Sequence, residues 1–148
     1  MAAEFSANAA QTISANGSAI FTETPVPCTK GLIYHRDGSG IFRLVNKFFR
    51  QNLMQCWRRN SNYEVTFHAN IAIPTGGTVE PISIALAIDG EVDPSSIATF
   101  TPAAVEQFGN VGAEIIVTVP FVCLCSSFSV RNVSTQDIVM QNANLTVG

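Results

Sequence analysis

Charge is scarce in this sequence. Only 13 % of its 148 residues are Asp, Glu, Lys or Arg, against about 25 % in an ordinary soluble domain. Disorder is excluded, because a disordered chain needs high charge and low hydrophobicity, and here 47 % of the residues are apolar. Long apolar runs are missing too. No stretch approaches the ~18 uninterrupted apolar residues of a membrane-spanning helix, so no membrane partner is expected. The start, Met1-Ala2-Ala3-Glu4, has neither a basic region nor an apolar one and is not read as a secretory signal. Histidine is limited to His35 and His68. There is no GxSxG elbow, no HExxH and no P-loop. No catalytic, cofactor-binding or metal-binding residue is therefore assigned, and the chain is not read as an enzyme.

Cysteine is sparse and badly spaced for chemistry. Cys28 and Cys56 stand alone, and Cys123 and Cys125 form a CxC in a strand-like stretch. Two residues apart on a strand places their Cα atoms about 6.5–7 Å apart, at the limit for a disulfide. A metal knuckle would need two CxxC-like pairs or histidines in register. Buried, reduced thiols acting as small hydrophobes are expected. Asp89, Glu91 and Asp93 alternate as in a calcium loop, but the glycine and distal glutamate of an EF-hand are absent. His68 lies on the polar face of a strand-like run, and His35 sits at the shoulder of a turn; both are read as structural.

What the chain has in quantity is two-residue alternation. From Tyr63 to Ile73 the odd positions are Tyr, Val, Phe, Ala, Ile and Ile, the even ones mostly polar. That is a strand with one face in a core. Pro74-Thr75-Gly76-Gly77 ends it. A second strand runs from Ile82 to Ile88 and closes at Asp89-Gly90. Leu32–Arg36 and Ile41–Asn46 flank Asp37-Gly38-Ser39-Gly40, a hairpin signal. Further strands are expected over Gln11–Ser14, Ser18–Glu23, Ile97–Thr101, Ala113–Val119, Ser127–Asn132 and Asp137–Val147. Short strands at this spacing make a single all-β domain, a sandwich or barrel. Residues 1–15 are an N-terminal arm or first strand. At most one or two short helices are allowed for. Residues 47–60 form either a short helix or an aromatic-rich loop, since Phe49, Leu53 and Trp57 recur every four residues. A second helical turn is expected at Thr101–Glu106, with Thr101 as N-cap and Pro102 in the first position.

Position makes the charge informative. Residues 30–59 hold seven of the eight basic residues against Asp37 alone, a balance of +6; elsewhere Arg131 faces ten acids, a balance of −9. The split points to a partner surface. Arg43, Lys47, Phe48, Phe49, Arg50, Trp57, Arg58 and Arg59 are the partner-contact candidates. Arginine and tryptophan are the usual anchors of protein contacts. Glu80, Asp89, Glu91, Asp93, Glu106 and Glu114 are their complement, on the same chain or a neighbour. Bases could also stack on these aromatics, but dedicated nucleic-acid modules are basic overall and this chain carries −3. A protein contact is preferred. Positions such as Ile41 beside Phe42, and Ile115-Ile116-Val117, are apolar on both faces of a strand and need a second cover. A closed homotrimer is expected.

Several stretches resemble a family of small proteins encoded by phages and prophages of gut Firmicutes. They are the run His68–Gly90, Thr24-Pro-Val-Pro-Cys-Thr-Lys-Gly31, the turn His35-Arg-Asp-Gly-Ser-Gly40 and the tail Val130–Asn144, about two-thirds of the chain. The resemblance implies an antiparallel two-sheet jelly-roll sandwich, similar to the trimeric tumour-necrosis-factor-like modules. It implies a virion structural protein, a capsid decoration or head-fibre component, made in the bacterial cytoplasm, whose partners are its own copies and the major capsid or other virion proteins. No motif in these stretches is catalytic, so no site residue transfers, and segment 47–59 lies outside them. A bacterial surface or spore-appendage subunit of similar fold, and a nucleic-acid module using residues 30–59, are the alternatives.

Overall fold

The computed structural model describes residues 2–28, 30–48, 59–120 and 125–148. The first half holds strands β1 (Ala3–Ala7), β2 (Gln11–Ile13), β3 (Glu23–Val26), β4 (Ile33–His35), β5 (Phe42–Val45) and β6 (Ser61–Ala72). The second holds β7 (Ile82–Ile88), β8 (Glu91–Val92), β9 (Ala98–Phe100), β10 (Gly109–Val119), β11 (Cys125–Asn132) and β12 (Ile138–Val147). One sheet has the order β10-β6-β12-β1-β3, with β2 also on β12; the other runs β4-β5-β11-β7-β8, with β9 on β7. All pairings are antiparallel. This is the two-sheet antiparallel jelly roll.

Alternation places the core between the sheets. Tyr63, Val65, Phe67, Ala69 and Ile71 of β6 are buried, while Asn62, Glu64, Thr66 and His68 face outward. From the opposite sheet come Phe42, Leu44, Ile82, Ile84, Leu86, Phe128 and Val130, all essentially without exposure. An aromatic stack knits the layers at one place. Phe42 lies between His35, with centroids 4.2 Å apart, and Phe128, at 4.8 Å, both nearly parallel. Phe5 and Phe21 meet Phe42 edge-on at 4.8 and 5.3 Å.

Residues 3–13 run beside β12 in two pieces: β1 pairs with Ala143–Val147 and β2 with Ile138–Met140. The break matches a bulge in β12 between Gln141 and Asn144, where Asn142 takes a left-handed φ of 51°. The first residues are thus interior strand of their own chain. Two buried asparagines fix the connections. Asn132 Nδ2 donates to Ile13 O at 3.0 Å and Gln136 O at 2.9 Å, and its Oδ1 accepts from Ser134 N at 2.9 Å. Asn46 Nδ2 donates to Arg59 O at 2.9 Å and Pro120 O at 3.0 Å.

Three local expectations need correction. Ser18–Glu23 is not a continuous strand. Ser18 and Phe21 make isolated bridges to Arg131 and Ser39, and the strand proper starts at Glu23. Thr101–Glu106 is not helical. Glu106 has a φ of 61° and gives its N–H to Ile73 O at 2.8 Å, and Ala103 N–H is taken by the Gln107 side chain. A tertiary hydrogen bond outweighs a good cap here. The helical turn among the described residues is instead a 3-10 turn at Pro94–Ser96, capped by Asp93, whose carboxylate accepts from Ser95 N at 2.9 Å. Finally, Cys125 is exposed and Cys28 half-buried, so these two are not core thiols; Cys56 and Cys123 lie outside the described residues. Among the described residues no helix is long and apolar enough to cross a membrane.

Candidate partner-contact site

Of the contact candidates, Phe49, Arg50, Trp57 and Arg58 lie outside the described residues. The other four fall in two places. Lys47, Phe48 and Arg59 gather where β5 leaves and β6 begins. Lys47 Nζ donates to Asn62 O at 2.6 Å and stands 4.4 Å from the Tyr63 ring centroid. Burial lowers the pKa of Lys47 from its ordinary value. The Tyr63 hydroxyl donates to Val45 O, and burial first, then nearby Cys28, raises its pKa. Phe48 gives its N–H to Asn46 Oδ1, and the Arg59 guanidinium lies 5.4 Å from its ring. Arg43 is elsewhere, on the outer face of the second sheet, directly opposite Tyr34 on β4 and Ser127 on β11.

Among the described residues, the acids offered as complement do not meet these bases. Among the described residues, the charge pair within 4 Å is His35 Nδ1–Asp37 at 3.9 Å. Glu80 accepts from Thr135 Oγ1 at 2.7 Å, Glu106 from Thr75 Oγ1 at 2.6 Å, and Asp89 from Ser127 N at 2.8 Å. Asp89 and Asp93 serve turns: Asp89 and Gly90 take φ of 51° and 88° in the β7–β8 hairpin, and Asp93 caps the 3-10 turn. His35 proves to be more than a turn shoulder. Its side chain is buried in the aromatic stack, and Nε2 donates to Ser39 O at 2.9 Å.

The outward positions of β6, β10 and β12 make a surface that composition alone did not reveal. Its polar groups are bonded to one another across strands. Thr118 Oγ1 donates to Asn62 Oδ1 at 2.8 Å, Asn110 Nδ2 to Asn70 Oδ1 at 3.1 Å, and Asn144 Nδ2 to Glu4 Oε1 at 2.5 Å. Glu114 hydrogen-bonds Glu64, and this bond, with the repulsion between the two carboxylates, raises the pKa of Glu114 above its ordinary 4.5. Beside them Ile116 is 66 % exposed. Alternation along β10 is the signal that could have found this face. It separates Glu114 and Ile116 from the buried Ile115 and Val117.

No family model matches the sequence, and no curated protein does. Solved structures do. The globular domain of zebrafish complement 1qA protein superposes with a TM-score of 0.64 at 9 % identity, covering 99 % of this chain and 94 % of that one. Pika GITRL gives 0.48 at 13 % identity over 99 % of this chain and 94 % of that one. A family 35 carbohydrate binding module from Clostridium thermocellum gives 0.40 at 10 %, over 99 % and 97 %. At these identities the likeness is one of fold, and the fold is the tumour-necrosis-factor-like jelly roll.

Proposed function

We propose that this chain is a non-enzymatic structural protein of a phage virion, a homotrimeric capsid decoration or head-fibre component. The observation that carries the assembly is the outer face of β6, β10 and β12. Covering a polar face costs free energy when its groups lose water without gaining partners. Here Asn62, Asn70, Asn110, Thr118 and Asn144 already hold partners within the face. Ile116 is the apolar centre that a cover would bury. Lys47 and Arg59 flank one end, so a neighbouring copy can set its bases near the acids of this one. The chain's net charge of −3 supports a protein contact over nucleic acid, whose dedicated modules are basic overall. The virion role rests on the sequence stretches given above, and the jelly roll suits it.

Two measurements test the reading. Light scattering at micromolar concentration is expected to give three times the chain's 15.8 kDa; a monomer sinks the assembly. Mass spectrometry and imaging of particles purified after prophage induction are expected to find this chain in regular copies on the head. Its absence from intact particles removes the virion role and leaves the trimer untouched.

A further inference from the structure

The outward face of the second sheet carries a different chemistry. Tyr34 and Arg43 are cross-strand neighbours, Arg43 faces Ser127 across the next ladder, and Ser129 faces Ala87. The small side chains at 87, 127 and 129 leave room above the sheet. A hollow of about 310 Å³ forms there, walled by Ser18, Ile41, Asp89 and Arg131. A second, of about 380 Å³, adjoins it on the far side of Ile41, walled by Tyr34, Arg36 and Arg43. Ile41 is a ridge between them, 62 % exposed, and Tyr34 is 49 % exposed.

Three arginines thus stand on one face of an acidic chain. Among the described residues none has a carboxylate within 4 Å, and the Arg36 and Arg43 side chains have no hydrogen-bond partner there either. Arg131 is fixed by its Nη1 donating to Gly90 O at 3.1 Å, while its Nε is buried without a partner. Asp89 shares the first hollow without pairing, which leaves three guanidinium groups against one carboxylate on this face, and guanidinium groups match carboxylate and sulfate oxygens in pairs. We propose that this face binds an acidic oligosaccharide, with Arg36, Arg43 and Arg131 taking its anionic groups and Tyr34 and Ile41 packing against its rings.

The backbone favours a saccharide over a peptide. An extended peptide gains affinity by adding to a free sheet edge. Here β5 is paired on both sides by β4 and β11, and β11 by β5 and β7, so beneath Arg43 and Ser127 the floor offers side chains only; β4, which carries Tyr34, is the sheet's edge, and hexaglutamate tests it. The two hollows lie within the size range of small-ligand sites. The site does not depend on the trimer or on the virion role.

Trigalacturonate, carboxylated, and a heparin tetrasaccharide, sulfated, are the probes, titrated into the full chain by calorimetry and NMR. Saturable binding of at least one is expected, with galactotriose and hexaglutamate at least tenfold weaker. Arg43→Gln is expected to weaken binding at least tenfold. Lys30→Gln, the same charge change outside both hollows, stays within twofold. Unchanged thermal unfolding of Arg43→Gln shows that the loss is local. The proposal is overturned if neither probe saturates at millimolar concentration, if Arg43→Gln and Lys30→Gln bind alike, or if hexaglutamate binds as tightly as the saccharide.

Discussion

Asn132 sits in the core with no exposure, and its side chain is bonded at both ends. Its Nδ2 ties the end of β2 to the turn before β12, which no apolar residue could do. Asn132→Ala leaves carbonyls of Ile13 and Gln136 without this donor inside the protein, a cost of about 1–3 kcal/mol. Denaturant unfolding is expected to show that loss; an unchanged midpoint removes the staple. Phe42→Ala takes the centre out of the aromatic stack and is expected to cost about 3–5 kcal/mol. At Cys28 burial pushes the thiol up, but the N–H groups of Leu32, Ile33, Lys30 and Gly31 bring it below its ordinary 9.0. A lowered value means that thiolate stabilisation is present above the ordinary value and fades as pH falls through the lowered one. Alkylation of Cys28, followed by peptide mapping, is therefore expected to rise with pH earlier than for a cysteine in an unstructured peptide. A midpoint at or above the peptide's counts against this environment.

The hairpin of β4 and β5 is held from outside as well as by its own ladder. Residues 18–21 cross it: Phe21 N donates to Ser39 O at 3.2 Å, and Gly38 N to Phe21 O at 2.9 Å. At Gly40 a Cβ would stand 2.6 Å from Ala19 O, a backbone atom that cannot swing away. Gly40→Ala is expected to lower stability by about 1–3 kcal/mol through overpacking; a neutral melting temperature would show that the crossing segment is free to move. On the outer face of β6 and β10, Glu114 has a raised pKa because of its bond to Glu64. A raised value means that stabilisation is complete below the ordinary 4.5 and is lost as pH rises through the raised value. If this face is covered in the assembly, association tightens as pH falls toward that range, and Glu114→Gln flattens the dependence. Sedimentation across pH reads both, and a steep dependence surviving in Glu114→Gln assigns it to other groups.

For the whole molecule, the outer faces of the two sheets differ in chemistry. One outer face carries Glu4 and the neighbouring Glu64 and Glu114; the other carries arginines without carboxylate partners. If the proposed trimer forms through the side that carries Lys47 and Arg59, replacing Arg58 and Arg59 by Glu weakens it, more at low salt, where screening is least. A double variant that assembles like the parent, by light scattering at two ionic strengths, removes segment 47–59 from the contact.

Local pattern alone determined the long strands and several of their turns. Alternation through Tyr63–Ile73 marks which side of β6 is buried, and Asp89-Gly90 marks the β7–β8 hairpin, because side-chain direction and positive φ are properties of neighbouring residues. The two-sheet sandwich was legible through the spacing of those strands. Packing decided the rest. That β12 lies between β6 and β1 follows from pairing residues far apart in the chain, which no window contains. His35 reads locally as part of a turn and becomes a core ring because Phe42 and Phe5 arrive beside it. Thr101–Glu106 has the cap of a helix but gives a backbone N–H to Ile73 instead. Arg131, isolated in sequence from the basic segment, joins Arg43 on one face because β11 pairs with β5, and only that register brings their charges to one surface.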